Sequence, residues 1–281
     1  MADVSNLLLE IAKRAEEANE PAPEDYIVDG ILICGRCGTP RQTIIEPHES
    51  EPMKVYCLCE CRQKALDEAE QKRNHDDLIR RLNSFSMMDE RLKKSRFENF
   101  IVKPENEKCY KLLKSYADRF AEMEEKNQGL LLYGRCGTGK TFGAACIANQ
   151  LIQNGISVLM TSFVDIVSAF QNDADEGNML ISRAARAKLL IIDDLGAERD
   201  TSFALEKVYN VIDTRYRSGL PMILTTNLSV DEMLSETDVR CSRIYDRIFE
   251  VCVPIPFQGT SWRRDEAAKR FDKMKSFMEG S

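Results

Sequence analysis

Residues 134 to 141 read Gly-Arg-Cys-Gly-Thr-Gly-Lys-Thr, and Gly134, Gly139, Lys140 and Thr141 stand at the spacing G-x-x-x-x-G-K-[ST]. A backbone freed of side chains at Gly134, Gly137 and Gly139 can turn its N–H groups onto phosphate oxygens, and the start of the following helix adds partial positive charge. Lys140 then reaches the β- and γ-phosphates while Thr141 offers its hydroxyl to Mg2+. The chemistry so implied is binding of ATP with magnesium, and Arg135, Cys136, Thr138 and Phe142 complete the loop and its first flanking position. Helix N-termini lower thiol pKa values, so Cys136 is either mildly oxidisable or an inert side chain turned away.

A second feature lies about fifty residues on, where Leu189 to Ile192 form an apolar run that ends in Asp193 and Asp194. Carboxylates at the end of a buried strand sit where a doubly wound sheet puts its ligand. Asp193 is expected to hold Mg2+ through water, and Asp194 to orient or activate the attacking water. The run at 221 to 226 ends in Thr225-Thr226-Asn227. Its amide could contact the γ-phosphate or the lytic water, or simply cap a turn. Arg240, Arg243 and Arg247, then Arg263 and Arg264, are guanidinium groups in want of an anion. Surface ion pairs are the ordinary use; an oligomeric ATPase would put one on its own γ-phosphate and one on its neighbour's.

Cysteine supplies the third chemistry. Cys34-Gly-Arg-Cys37 is followed by Cys57-Leu-Cys59-Glu-Cys61, two knuckles whose spacing lets hairpin turns close one tetrahedral zinc site. Cys34 and Cys37 are the firmest ligands, joined by two of Cys57, Cys59 and Cys61, with His48 as a competitor. Loose thiols without metal are the alternative.

The elements that must position these groups follow from periodicity. An apolar strand at 129 to 133 precedes the glycine loop and a helix starts at 140; strands near 157 to 161, 188 to 192, 221 to 226 and 249 to 253 alternate with helices at 163 to 171 and about 202 to 217. Continuous apolar strands separated by helices predict a parallel sheet covered on both faces, a P-loop NTPase architecture of the α/β class. Ahead of it, Leu113, Tyr116, Phe120 and Met123 mark a core-packing helix within 105 to 126. Residues 62 to 96 are charged helix formers interrupted near Ser84 to Ser86. Short β-rich pieces at 31 to 33, 43 to 45 and 54 to 56 surround the cysteines, as in a small zinc knuckle. Val4, Leu7, Leu8, Ile11, Ala12 and Ala15 form the stripe of an amphipathic helix, for packing on its own domain or docking on another protein. The expected organisation is a zinc-binding module at 1–61, a helical linker at 62–95 and the ATPase domain at 96–281.

The chain has 281 residues and a net charge of −7. Residues 1 to 61 hold five Lys/Arg against twelve Asp/Glu, which disfavours nucleic acid there and favours a protein partner. Residues 240 to 275 carry nine Lys/Arg against five Asp/Glu; any DNA contact is expected there, with an ordinary solvated face as the alternative. The first residues lack a basic n-region, and the apolar run Leu7 to Leu9 is too short for a signal core or a membrane span. A cytoplasmic protein with no membrane contact is expected.

SRFENF at 95–100, GRCGTGKT at 134–141, LLIIDDLGAE at 189–198, LTTNLS at 224–229, RIYDRI at 243–248 and GTSWR at 259–263 together resemble the DnaC/DnaI type of replicative helicase loader and the related IstB-like ATPases of transposition, both of the AAA+ class. The resemblance covers about residues 96 to 281. It implies ATP hydrolysis, Asn227 as sensor 1, Arg243 or Arg247 as the finger acting on an adjacent subunit, Arg263 as the sensor 2 equivalent, and a reduced lid. Many AAA+ members carry glutamate where Asp194 stands, and Glu198 is a second candidate for polarising water. The cysteine module resembles the zinc-bearing, helicase-binding domain of such loaders. The implied function is ATP-dependent placement of a hexameric DnaB-type helicase on single-stranded DNA by a homo-oligomer, the alternative being an IstB-like regulator of transposition.

Overall fold

The computed structural model describes residues 21–45, 52–196 and 201–279. The helix expected at 4 to 15, His48 and Glu198 lie outside the described residues. Two compact units divide between Asp76 and Asp77, and each is described by itself.

The first unit contains hairpin β1 (Tyr26–Val28) with β2 (Ile31–Ile33) and hairpin β3 (Gln42–Ile45) with β4 (Met53–Tyr56), both antiparallel. Asp29 and Gly30 turn the first hairpin with φ of 49° and 77°, the positive-φ pair a two-residue turn requires. Up to Asp76, the buried residues among those described are Leu32, Cys34, Arg41 and Cys59. Those four make no apolar core among the described residues, where polar organisation stands out instead. Arg41 and Asp25 form an ion pair with both side chains buried, and Asp25 also accepts the N–H groups of Ala22 at 2.8 Å and Gly35 at 3.0 Å. Helix α1 (Glu60–Phe85) follows; its charged residues leave no position of it buried.

In the second unit α1 ends where the serines interrupt it. Ser86 is buried, and its carbonyl accepts the Met160 N–H at 2.9 Å. Next come α2 (Glu107–Asp118) and α3 (Phe120–Glu125), a pair where one helix was expected. The core then runs β5 (Gly129–Tyr133), α4 (Lys140–Gln153), β6 (Val158–Ser162), α5 (Phe163–Asn172), α6 (Ala174–Arg186), β7 (Leu189–Leu195), α7 (Ser202–Ser218), β8 (Met222–Thr226), α8 (Val230–Leu234), α9 (Val239–Val251), β9 (Cys252–Pro256) and α10 (Trp262–Glu279).

The five strands form one parallel sheet in the order β6-β7-β8-β5-β9. Alternate residues of each strand enter different cores. Leu131, Leu159, Leu190, Ile192 and Leu224 pack with α5, α6, α7 and α9, whereas Leu130, Leu132, Met160, Leu189, Ile191 and Ile223 pack with α2 and α4. Both faces are therefore covered, as the continuous apolar strands require.

The last strand occupies Cys252–Pro256 rather than 249 to 253, because residues 249 to 251 are the final turn of α9. Pro254 and Pro256 argue against a strand there, but β9 pairs only with β5 and is an edge, where a residue without an N–H costs no ladder bond on its free side. Helix α6 was not expected. Asp173 caps it by accepting the Asp175 N–H, Asp175 and Glu176 occupy its first turn, and Arg183 and Arg186 its last, the charge order a helix dipole favours.

Candidate functional site

The glycine loop lies between β5 and α4, as its sequence context requires. Gly134 has φ 136° and Gly137 φ 81°, and space is as restrictive as torsion. A methyl at Gly134 would lie 2.3 Å from the Phe257 carbonyl oxygen, and one at Gly137 would lie 2.1 Å from Ser261 Oγ. The loop is thus packed against the chain that follows β9, where the Trp262 N–H donates to the Gly137 carbonyl at 3.0 Å. Thr138 is buried and its hydroxyl donates to the Arg135 carbonyl at 2.9 Å, whereas Arg135 and Cys136 are exposed. Phe142 is turned to Phe100, with ring centroids 5.8 Å apart.

Lys140 is buried, with its ammonium donating to the carbonyls of Gly134 at 2.8 Å and Arg135 at 3.0 Å and to Asn227 Oδ1 at 2.8 Å. Burial lowers its pKa, against the nearby carboxylates of Asp194 and Asp193. The sequence-predicted Arg263 is exposed on the first turn of α10. Thr141 Oγ1 donates to Asp193, 2.9 Å from Oδ1 and 3.0 Å from Oδ2. Candidates from three separate segments, Lys140 with Thr141, Asp193 and Asn227, accordingly meet at the carboxyl ends of β5, β7 and β8.

The two acids are not side by side on a regular strand. Ile192 pairs with Leu224 and Leu195 with Thr226, so β7 advances three residues while β8 advances two. This bulge puts Asp194 at φ 56°, an uncommon conformation for a non-glycine residue that short polar side chains tolerate best. Asp193 is half-buried and Asp194 exposed. Burial raises the Asp193 pKa, hydrogen bonds from Thr225 and Thr141 pull it down, and the adjacent Asp194 pushes it up again.

The arginines separate. Arg247 pairs with Asp213 at 2.6 Å and lies over the rings of Tyr209 at 4.6 Å and Tyr216 at 5.8 Å. Arg243, one turn earlier on α9, is exposed. Arg240 is taken up by Asp238, 2.7 Å away. No sequence signal pointed to Asp213 as the partner of Arg247, because the two residues lie on different helices.

In the first unit the sulfur atoms of Cys34, Cys37, Cys59 and Cys61 all lie within 4.8 Å of one another. Cys34 Sγ is 3.7 Å and Cys59 Sγ 3.5 Å from Cys61 Sγ. Tetrahedral zinc with Zn–S bonds of about 2.3 Å would set S···S near 3.8 Å, so the donor set fits that ion. Cys57, one of the five candidate ligands, is not in the group; its Sγ lies 3.5 Å from the Pro40 carbonyl instead.

The model of the family described as "IstB-like ATP binding protein" matches residues 63–270. Among curated proteins, the chain is similar to "Replicative helicase loader DnaI" of Bacillus subtilis (strain 168), 29% identical over 150 residues that make up 49% of this chain and 48% of that protein. It is also similar to "Replicative helicase loader DnaC" of Escherichia coli (strain K12), 29% identical over 157 residues, 54% of this chain and 62% of that protein. These matches span about half to three fifths of the relatives' own lengths. Among solved structures, "Crystal Structure of the DnaI" superposes with a TM-score of 0.53 at 22% identity, covering 63% of this chain and 94% of that one. That likeness shows the fold, an α/β architecture with a parallel sheet covered by helices on both faces.

Proposed function

From the premise that this chain belongs to the IstB-like ATP-binding family, we propose that it is an ATPase that loads a hexameric replicative helicase onto single-stranded DNA. The observation that carries the ATPase part is the convergence of Lys140, Thr141, Asp193 and Asn227 on one end of the sheet. In this reading, Lys140 and the backbone of residues 134–139 bind the phosphates, and Thr141 and Asp193 hold Mg2+. The magnesium ion supplies positive charge to the triphosphate oxygens. Asp194 orients the attacking water and Asn227 senses the γ-phosphate. Arg263, on the first turn of α10, takes the place beside its own nucleotide.

Of the two arginines that the sequence offered for a neighbouring subunit, Arg243 fits better, since the Arg247 guanidinium is already held by Asp213 and two tyrosine rings. Using it requires an ATP-dependent homo-oligomer. The loader role rests on the names of the two curated relatives and on the cysteine cluster. Residues 1–61, acidic and with four cysteine sulfurs placed for zinc, serve as the helicase-docking module; 62–95 serve as its linker.

The test is reconstitution. The chain, the replicative helicase and ATP should give helicase on circular single-stranded DNA, and Lys140→Ala should abolish this. If helicase is neither bound nor loaded, and a transposase is instead recruited to target DNA, the transposition reading takes over.

A further inference from the structure

We propose that Thr225 is a positioning residue for magnesium, fixing the Asp193 carboxylate and the Asp194 backbone from the neighbouring strand. The inference rests on the nucleotide-site reading above. Thr225 is fully buried on β8, with 0% of its surface exposed, and it cannot touch solvent or nucleotide. Its hydroxyl has one proton, which it gives to Asp193 Oδ1 at 2.5 Å. Its lone pair accepts the Asp194 N–H at 3.0 Å. One side chain therefore spans both acids.

The bulge explains why such a group is needed. An extra residue on β7 removes Asp194 from the regular ladder, and its displaced N–H is taken up by the Thr225 hydroxyl instead. Asp193 also needs a donor that stays when metal arrives. Thr141 now donates to the same carboxylate, but its oxygen is wanted by the ion. Thr225 approaches from the sheet side and can keep its hydrogen bond, leaving Asp193 Oδ2 for the water shell of the metal. Partners of this kind, one step behind a metal ligand, hold the ligand's rotamer and change metal affinity by roughly 10- to 100-fold when removed.

The next residues of β8 extend the same device. Thr226 Oγ1 donates to the Leu195 carbonyl at 2.7 Å, and Asn227 Oδ1 accepts from Lys140. The end of β8 thus sets the two acids and the lysine together.

The experiment measures binding of a fluorescent ATP analogue to the full chain across a magnesium titration. Thr225→Val keeps the shape and removes the hydroxyl; Thr225→Ser keeps the hydroxyl. The valine variant should need roughly ten-fold more Mg2+ for its half-maximal effect, with affinity for metal-free nucleotide unchanged, and the serine variant should return toward wild type. A wild-type magnesium midpoint in folded Thr225→Val would overturn the proposal. If valine does not fold, Thr225→Ala compared with Thr225→Ser isolates the same hydroxyl, and equal midpoints overturn it. Wild-type protein that binds no nucleotide at any magnesium concentration would instead refute the nucleotide site itself.

Discussion

Lys140 Nζ donates to Asn227 Oδ1 across 2.8 Å, linking the start of α4 to the end of β8. The lysine is buried, and in this state three neutral oxygens hold its ammonium. Triphosphate oxygens carry full charge and should displace the amide, freeing Asn227 to face the γ-phosphate. Asn227→Ala is therefore expected to leave nucleotide affinity within a few-fold of wild type and to cut turnover by about 100-fold, the usual cost of losing one positioned polar group. Equilibrium binding and steady-state phosphate release check the split. A large affinity loss with turnover intact would contradict it.

Arg215 is a buried cation whose hydrogen bonds go to carbonyl groups. Its Nη1 donates to Ala184 at 2.9 Å and Ala187 at 2.7 Å, and its Nη2 to Lys188 at 3.1 Å and Pro221 at 2.5 Å. Burial pushes its pKa down to about 10, and the end of α6 compensates with oriented carbonyls. Arg215→Met should orphan those carbonyls and destabilise the second unit by about 1–3 kcal/mol for each carbonyl left without a donor. Thermal unfolding should fall by roughly 10 °C. Arg215→Lys keeps the charge but not the fork, so an intermediate loss is expected; two wild-type curves would refute the assignment.

The cysteine cluster predicts one zinc per chain. Cys34→Ser with Cys37→Ser, or treatment with a strong chelator, should remove the metal and abolish helicase binding, because only four of the described residues up to Asp76 are buried and the metal would hold the rest together. Nucleotide binding should survive. Cys57→Ser should keep full zinc content by atomic absorption, since its sulfur lies outside the four. Loss of zinc from that variant would show that the ligand set is different.

Much of the ATP-binding core is legible in the residues because local and global signals coincide there. The glycine loop, the apolar strands at 129–133 and 188–192 and the acids at 193 and 194 each point to the same sheet end. What escaped depended on tertiary context. The strand at Cys252–Pro256 is allowed its prolines by being an edge, and the pairing of Arg247 with Asp213 joins separate helices. Thr225 stood in plain view beside Asn227, but only the bulge in β7 gives its hydroxyl a task. The grouping of four of the five cysteines likewise comes from the fold, which turns Cys57 toward Pro40.

Thiol chemistry offers a direct probe of the loop. Cys136 is exposed, whereas Cys146 is buried with its thiol pushed up to about 12, and burial also raises the pKa of Cys109. Thiolate is the reactive form, so at pH 8 those two should be nearly inert. Brief alkylation of the second unit should mark Cys136 first, and Mg-ATP should protect it. Peptide mass spectrometry reads both outcomes; labelling of Cys136 unaffected by saturating nucleotide would place the phosphates elsewhere.

The contrast between Arg243 and Arg247 can be decided by mixing inactive chains. A finger acts in trans, so an Arg243→Ala chain keeps a working phosphate loop and a Lys140→Ala chain keeps a working finger. Random assembly puts the two in productive order at about one interface in four. Turnover should therefore reappear at about that fraction of wild type, although neither variant is active alone. Arg247→Ala should behave differently, because its loss breaks the contact with Asp213 and two ring contacts inside one chain. It should lower the unfolding temperature and gain nothing from mixing. Recovery with Arg247→Ala and none with Arg243→Ala would reverse the assignment and require the Asp213 pair to open on assembly.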